Sequence, residues 1–121
     1  MAGEVRASLE GRDLEGFRAL LADDVRWGGD VMPNRCRNRS QVVDTFRRQL
    51  AGGLQGRVSS LEIGPAGILC RLTVTFPAEK AGAKTRELFH LYHVSGERIT
   101  EIEPFVERRP ALAALGSGPA A

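Results

Sequence analysis

The segment from residue 57 to residue 106 constrains the fold most, because it holds four strand-like runs in succession. The runs are rich in apolar, β-branched and aromatic side chains and cover residues 57–64, 68–76, 86–94 and 98–106. Turn-forming residues separate them at Gly64-Pro65-Ala66-Gly67, within residues 78–84, and at Ser95-Gly96-Glu97. Strands joined in this way predict a meander of long antiparallel strands.

The third run, residues 86–94, is apolar on both of its faces. One face carries Leu88, His90, Tyr92 and Val94, and the other carries Phe89, Leu91 and His93. A strand with one solvated face would be polar on that face, so both faces need a cover. Because three short helices suffice for one face only, we expect a second copy of the chain to cover Phe89 and Leu91, which makes the protein a homodimer.

Three helices are predicted before the strands, from apolar residues at helical spacing. They cover residues 2–10, residues 14–21, and a third segment that ends at Gly52-Gly53. Asp13 is placed to cap the second helix, and either Ser40, or Asn38 with Gln41 as its reciprocal partner, is placed to cap the third. Residues 25–27 begin an extended piece that leads into a short hairpin. Helices followed by a meander predict one α+β domain over residues 1–115, with a flexible tail over residues 116–121.

Composition places the chain among ordinary globular domains. Its 121 residues are 42% hydrophobic and 26% charged, which is typical of one domain that buries its own core. The longest apolar runs are too short to span a bilayer, and Glu4, Arg6 and Glu10 interrupt any secretory signal. We therefore expect a cytoplasmic protein with no membrane partner, in which Cys36 and Cys70 are free thiols.

Charge and motif spacing argue against several classes of function. The net charge is only +2, and the densest basic cluster, Arg35, Arg37 and Arg39, has no interleaved aromatic residue, so no nucleic-acid partner is predicted. His90 and His93 point to opposite faces of their strand, and neither cysteine has a close-spaced partner, so no metal site is predicted. No Gly-rich phosphate loop occurs, and no cofactor is expected.

The order of these elements resembles a known family. Gly-Arg-Asp-Leu-Glu joins the first two helices, Ala22-Asp23-Asp24-Val25-Arg26-Trp27 follows the second, Cys36-Arg37-Asn38-Arg39 precedes the third, and the last strand starts with Gly96-Glu97-Arg98-Ile99. Together these features resemble the SnoaL-like branch of the nuclear transport factor 2-like superfamily over nearly the whole chain. The resemblance implies a cystatin-like cone. In that cone, three N-terminal helices pack on a strongly curved, mainly antiparallel sheet, a ligand pocket lies at the open end, and chains pair through the outer sheet face.

Resemblance to ketosteroid isomerases, which share that cone, marks two candidate catalytic residues. His90 falls at the inward strand position where those enzymes place a proton-donating oxyanion residue, and Asp30 falls one residue beyond the position of their general base. Asp30 reaches the pocket only if Gly28-Gly29 carries a bulge. The structural alternatives are a core histidine hydrogen-bonded to a backbone group or hydroxyl, and a solvated loop aspartate. No tyrosine stands near Glu4, where the isomerases carry another donor, so their own activity is not expected.

A pocket lining that is apolar with a few polar groups is also predicted. Its candidate residues are Trp27, Phe46, Leu72, Val74, Phe76, Tyr92, Ile102 and Val106. One hypothesis is a protein that binds an apolar cyclic or carbonyl compound. As an enzyme it would perform isomerisation, cyclisation or hydrolysis, with Asp30 as base and His90 as acid or oxyanion donor. The other hypothesis is a non-catalytic ligand-binding or dimerisation module whose cone is filled.

Overall fold

The computed structural model describes residues 1–28, 36–53, 55–76 and 84–117. Within them the chain forms four helices and five strands. In chain order these are α1 (Ala2–Glu10), α2 (Leu14–Leu20), β1 (Leu21–Trp27), α3 (Arg39–Ala51), β2 (Gln55–Gly64), β3 (Gly67–Phe76), β4 (Lys84–Ser95), β5 (Arg98–Phe105) and α4 (Arg108–Ser117). The predicted α+β class is confirmed.

The strands form one sheet in the order β1-β5-β4-β3-β2. Neighbouring strands from β2 to β5 are antiparallel, as the meander prediction required. Strand β1 adds to β5 in the parallel sense and begins at Leu21, directly after α2, rather than at Val25. At its end, Trp27 and Cys36 exchange backbone hydrogen bonds of 3.0 and 2.9 Å, so the chain comes back beside Trp27 before α3.

Side-chain caps mark the starts of α2 and α3. The Asp13 side chain accepts a hydrogen bond of 3.0 Å from the Gly16 amide at the start of α2. At α3, the Asn38 side chain accepts from the Gln41 amide, and the Gln41 side chain accepts from the Arg37 amide. The reciprocal Asn38 cap is therefore confirmed, and the Ser40 alternative is wrong because Ser40 lies inside the helix. None of the helices in the described residues has both the length and the apolar composition that crossing a membrane requires.

The main core lies between the inner face of the sheet and the helices α1, α2 and α3. Its largest fully buried side chains are Tyr92, Phe17, Leu21, Ile99, Ile102, Val5, Val25, Val42 and Cys70. Side chains from all three helices and from every strand meet there. Burying this apolar surface is the main stabilising contribution to the fold.

Helix α4, which was not predicted from the sequence, packs on the outer face of the sheet. Ala111 and Leu115 of α4 pack with Leu69, Phe89 and Leu91 in a second core. Within the single chain, Phe89 is 3% exposed and Leu91 is fully buried. The prediction that these two residues meet a second subunit is therefore wrong, because the chain supplies their cover itself. Helix α4 ends at Ser117, two residues into the predicted tail.

Candidate functional site

A cavity of about 130 Å³ lies on the inner side of the sheet, against the first and third helices. Its walls are formed by Leu9, Arg12, Trp27, Phe46, Gln49, Leu50, Gly56, Leu72, Val74, Leu88 and His90. Three of these residues, Arg12, Gln49 and His90, are polar, and the others are apolar, aromatic or glycine. An apolar cavity with a few polar groups is the usual form of a small-molecule site.

The exposure of residues along β4 shows how the cavity is oriented. On the inner face of this strand, Arg86 is exposed, His90 is half-buried and Tyr92 is fully buried. The cavity, which Leu88 and His90 line, therefore lies at the less buried part of this face, before the fully buried Tyr92. Gly56 lies near the start of β2 and Val74 near the end of β3, at the same end of the sheet.

His90 is the polar group on the sheet wall of the cavity. Its ring makes edge contacts with the rings of Trp27 and Tyr92, at centroid distances of 5.7 and 6.1 Å. Burial among these apolar groups lowers the pKa of His90 from 6.5 to about 4. The imidazole is therefore neutral near pH 7, with one ring nitrogen that donates a hydrogen bond and one that accepts.

No hydrogen bond joins the His90 ring to another described residue. The structural alternative was a core histidine that a backbone group or a hydroxyl holds by a hydrogen bond. Within residues 1–28, 36–53, 55–76 and 84–117, no such hydrogen bond is observed. A polar group without a partner on the wall of an apolar cavity is a place where a ligand or a water forms the missing hydrogen bond.

Two aromatic rings, those of Phe46 and Trp27, form part of the cavity wall. Phe46 of α3 lies 5.0 Å from Phe17 of α2 and 6.0 Å from Trp27 of β1, measured between ring centroids. Phe17 in turn meets the edge of Tyr92 at 6.2 Å. These contacts connect elements that are distant in sequence, and they hold Trp27 and Phe46 in place beside the cavity.

Tyr92 and Cys70 lie in the core next to the cavity. Burial is the main reason that the pKa of Tyr92 is raised, and it also raises the pKa of Cys70 to about 12. Cys70 is therefore a protonated thiol that packs in the core, which does not suit a nucleophile. The Tyr92 hydroxyl is buried and has no hydrogen-bond partner among the described residues.

Comparison with known proteins agrees with this architecture. Residues 4–102 match the family described as the SnoaL-like domain.

The chain belongs to the SnoaL-like domain family.

Solved structures similar to this SnoaL-like chain share its fold at low sequence identity. An epoxide hydrolase of M. tuberculosis, described as LEH-like, is 16% identical, with a TM-score of 0.68 over 94% of this chain and 81% of that one. A nuclear transport factor 2-like protein of unknown function from Burkholderia pseudomallei is 20% identical, with a TM-score of 0.70 over 94% and 93% of the two chains. A protein from Catenulispora acidiphila with a ketosteroid isomerase-like fold, in complex with trimethylamine, is 14% identical, with a TM-score of 0.69 over 98% and 92%. These likenesses confirm the predicted nuclear transport factor 2-like fold. No curated protein matches the sequence.

The structure of this SnoaL-like domain brings together five of the predicted site residues. Trp27, Phe46, Leu72, Val74 and His90 all line the cavity.

The other predicted site residues lie elsewhere. Tyr92 and Ile102 are buried in the core behind the cavity. Val106 is 78% exposed, because the chain leaves β5 before it and turns into α4, so the prediction that Val106 lines the pocket is wrong. Asp30 and the side chain of Phe76 lie outside the described residues.

Several wall residues were missed by the sequence analysis. Gln49 and Leu50 follow Phe46 by three and four positions on α3, so helical periodicity could have placed them on the same face. Leu88 is two residues before His90 on β4, and strand alternation could have found it. Arg12 occupies the turn after α1 in the left-handed region, with φ of 54°, and no sequence pattern indicates that it borders a cavity.

A separate group of possible cation ligands lies on the outer face of the sheet. His93, Glu101 and Glu103 each offer one ligand atom, and these atoms lie within 4.8 Å of one another. This group was not predicted from the sequence, because His93 and the two glutamates belong to different strands, and their pairing is not visible in the spacing of residues along the chain.

Proposed function

We propose that this SnoaL-like protein binds a small, mainly apolar ring compound that carries one oxygen acceptor. The ring would occupy the cavity, and the oxygen would accept a hydrogen bond from the neutral imidazole of His90. The observation that carries the proposal is the absence of any hydrogen bond from the His90 ring to the described part of the chain, on the wall of an apolar cavity.

The volume of the cavity favours a compound with a single ring. An engineered apolar protein cavity of about 150 Å³ accepts benzene, and the volume here is about 130 Å³. A cyclic ketone, a lactone or an epoxide on a six-membered ring is of comparable size. A fused-ring sterol would need the wall to move.

The protonation state of His90 limits the chemistry that it would perform. With a pKa of about 4, the imidazole is a weak base near neutral pH, but its N–H can stabilise negative charge that develops on a substrate oxygen. We therefore propose His90 as an oxyanion donor in an isomerisation, cyclisation or hydrolysis. The base would be another group, and Asp30 stays the candidate for it. One structural relative is named an epoxide hydrolase, which is in keeping with an oxygen-bearing ligand.

The experiment is a binding screen with cyclohexanone, cyclohexene oxide, a six-membered lactone and a sterol. A ligand that binds only the folded state increases the free energy of unfolding, by about 2.7 kcal/mol at a ligand concentration 100 times Kd, and so raises the melting temperature. We expect the single-ring compounds to raise the melting temperature of the wild type, and calorimetry to show binding at least about tenfold weaker in His90→Leu. The matched control is His93→Leu, which changes the same residue type on the opposite face and should bind as the wild type does.

Two outcomes would contradict the proposal. If no compound shifts the melting temperature, the second hypothesis of a filled, non-catalytic module is preferred. If ligands bind equally well to the wild type and to His90→Leu, the cavity binds by shape alone and His90 has no role.

We also keep the predicted homodimer and the cytoplasmic location as proposals. Because α4 covers Phe89 and Leu91, a dimer would have to use other surfaces. Sedimentation of the purified chain at two concentrations would show whether a dimer forms, and a fixed monomer mass would reject it.

A further inference from the structure

We propose that His93, Glu101 and Glu103 form a binding site for a zinc ion, or for a first-row divalent cation with similar ligand preference. The site lies on the outer face of the sheet, on the side opposite the cavity. It is independent of the function proposed for the cavity.

The three side chains converge from two neighbouring strands. His93 of β4 lies directly opposite Glu101 of β5, and Glu103 is two residues further along β5, on the same face. The His93 Nε2 atom is 2.9 Å from an oxygen of Glu103. One ligand atom from each residue lies within 4.8 Å of the other two.

The backbone beneath these side chains is held firmly. Strands β4 and β5 are both interior strands of the sheet, with a paired strand on each side. The Thr100 hydroxyl donates a hydrogen bond of 3.2 Å to the carbonyl of His93, next to a register shift between His93 and Val94. Irregular pairing of this kind often re-aims side chains at functional sites. A cation would therefore meet ligands whose backbone positions are already set.

The third side chain of the group, Glu101, differs from Glu103 in its contacts. It is half-buried, yet it forms no hydrogen bond or ion pair with any described residue, whereas Glu103 has His93 as its partner. Arg26 of β1 is the register partner of Glu101 and lies on the same outer face of the sheet. One imidazole nitrogen and two carboxylates that face one point form a set of donors that a divalent cation can bind.

The kinds of ligand atom indicate which cation fits. One imidazole nitrogen and two carboxylate oxygens suit zinc, whereas magnesium and calcium prefer sites made of oxygen alone. With bonds of about 2.1 Å, the ligand atoms of a tetrahedral site lie about 3.4 Å apart. Small side-chain rotations would bring atoms that are already within 4.8 Å to that spacing. The fourth position would be taken by water.

The test is a zinc titration of the full chain, with any affinity tag removed, by calorimetry and thermal shift. We expect one zinc ion per chain, a raised melting temperature, and no competition from magnesium. Replacing a residue that binds the metal directly should weaken zinc binding more than replacing a residue that only contacts such a ligand, which typically costs about 10- to 100-fold. We therefore expect His93→Gln and Glu101→Gln each to lower the zinc affinity at least about 100-fold.

Matched variants separate this site from other zinc ligands. Glu87→Gln removes a carboxylate from the same outer face of β4, where Glu87 pairs with Arg71, and His90→Gln removes the other histidine. Both should bind zinc as the wild type does. Because Glu101 has no partner to lose, Glu101→Gln should fold normally even if His93→Gln does not. The proposal is overturned if the wild type binds no zinc, or if Glu101→Gln binds zinc with unchanged affinity.

Discussion

The two histidines of β4 are three residues apart, and the sheet separates them into different environments. His90 faces an apolar cavity, where it has no hydrogen-bond partner among the described residues and burial lowers its pKa to about 4. His93 faces outward, where its side chain is 29% exposed and lies against Glu103. Strand alternation thus gives the same residue type two environments, an apolar cavity on one face and a contact with a carboxylate on the other.

The two faces of the sheet also differ in packing. The inner face holds the larger core and the cavity, whereas the outer face is packed against α4 through Phe89 and Leu91. The inner face thus keeps space that a ligand can fill, and the outer face keeps very little under α4. Three predictions test this contrast, in order of decreasing effect.

The largest effect is expected from leucine truncation on the outer face. Leu91 is fully buried, so Leu91→Ala should lower the free energy of unfolding by about 3 to 4 kcal/mol. Leu88 is only partly buried and already borders the cavity, so Leu88→Ala should lower it by about 1 to 2 kcal/mol. Equilibrium unfolding in urea measures both. If Leu88→Ala lowered the free energy of unfolding as much as Leu91→Ala or more, the cavity wall would be packed at least as tightly as the surface under α4.

The second effect is a pH dependence of stability that comes from His90. Its pKa is 6.5 in the unfolded chain and about 4 in the folded one, so the unfolded chain takes up a proton first as the pH falls. The free energy of unfolding therefore does not depend on the protonation of His90 above pH 6.5. It falls progressively between pH 6.5 and 4, by on the order of 3 kcal/mol in total, because protonation of His90 favours the unfolded chain.

This pH dependence can be isolated with one variant. Comparing unfolding free energies of the wild type and His90→Leu at pH 7 and pH 5 removes the contributions that both proteins share. We expect the difference between the two proteins to change in favour of His90→Leu at the lower pH. A constant difference would show that His90 is more solvated than its position in the cavity wall indicates.

The smallest effect is expected at the outer histidine. The contact between His93 and Glu103 joins side chains that are 29% and 37% exposed, and pairs of this kind contribute about 1 kcal/mol or less. In the absence of added metal, His93→Gln should therefore lower the free energy of unfolding by about 0.5 kcal/mol, as measured in urea. A loss several times larger would show that this contact, rather than α4, is the main stabilising feature of the outer face.

The elements that could be predicted are those with a local signal. The strand alternation and the turns at Gly64-Pro65 and Ser95-Gly96 placed every strand end of the meander within a few residues, and Asn38 with Gln41 marked the start of α3. Each of these signals acts over about two to eight neighbouring residues. They do not depend on what packs nearby.

The element that was missed has a weak local signal. Helix α4 buries only Ala111 and Leu115 and carries Pro110 in its first turn, a position where proline is tolerated. Such a short helix with two small buried contacts is stable mainly because the outer face of the sheet accepts it. Because the sequence does not mark α4 as a helix, the apolar side chains of Phe89 and Leu91 predicted a second chain as their cover.

The candidate site was predictable only in part, for the same reason. The resemblance to ketosteroid isomerases placed His90 at an inward strand position, and the apolar character of Leu72, Val74, Trp27 and Phe46 suggested a lining. The sequence pattern could not show that Tyr92 and Ile102 are packed in the core behind the cavity, or that Val106 is exposed. Those outcomes depend on how α3, β1 and α4 fit against the sheet.

The sequence by itself determined the α+β class, the meander and the two faces of β4, because periodicity and turn chemistry are local, and the order of its motifs resembled the family to which the chain belongs. The tertiary structure decided the parallel pairing of β1 with β5, the cover of the outer face, the volume of the cavity, the neutral state of His90 and the grouping of His93 with two glutamates. Each of these depends on side chains from separate segments meeting in space, and desolvation and packing at such meetings are properties of the folded chain alone.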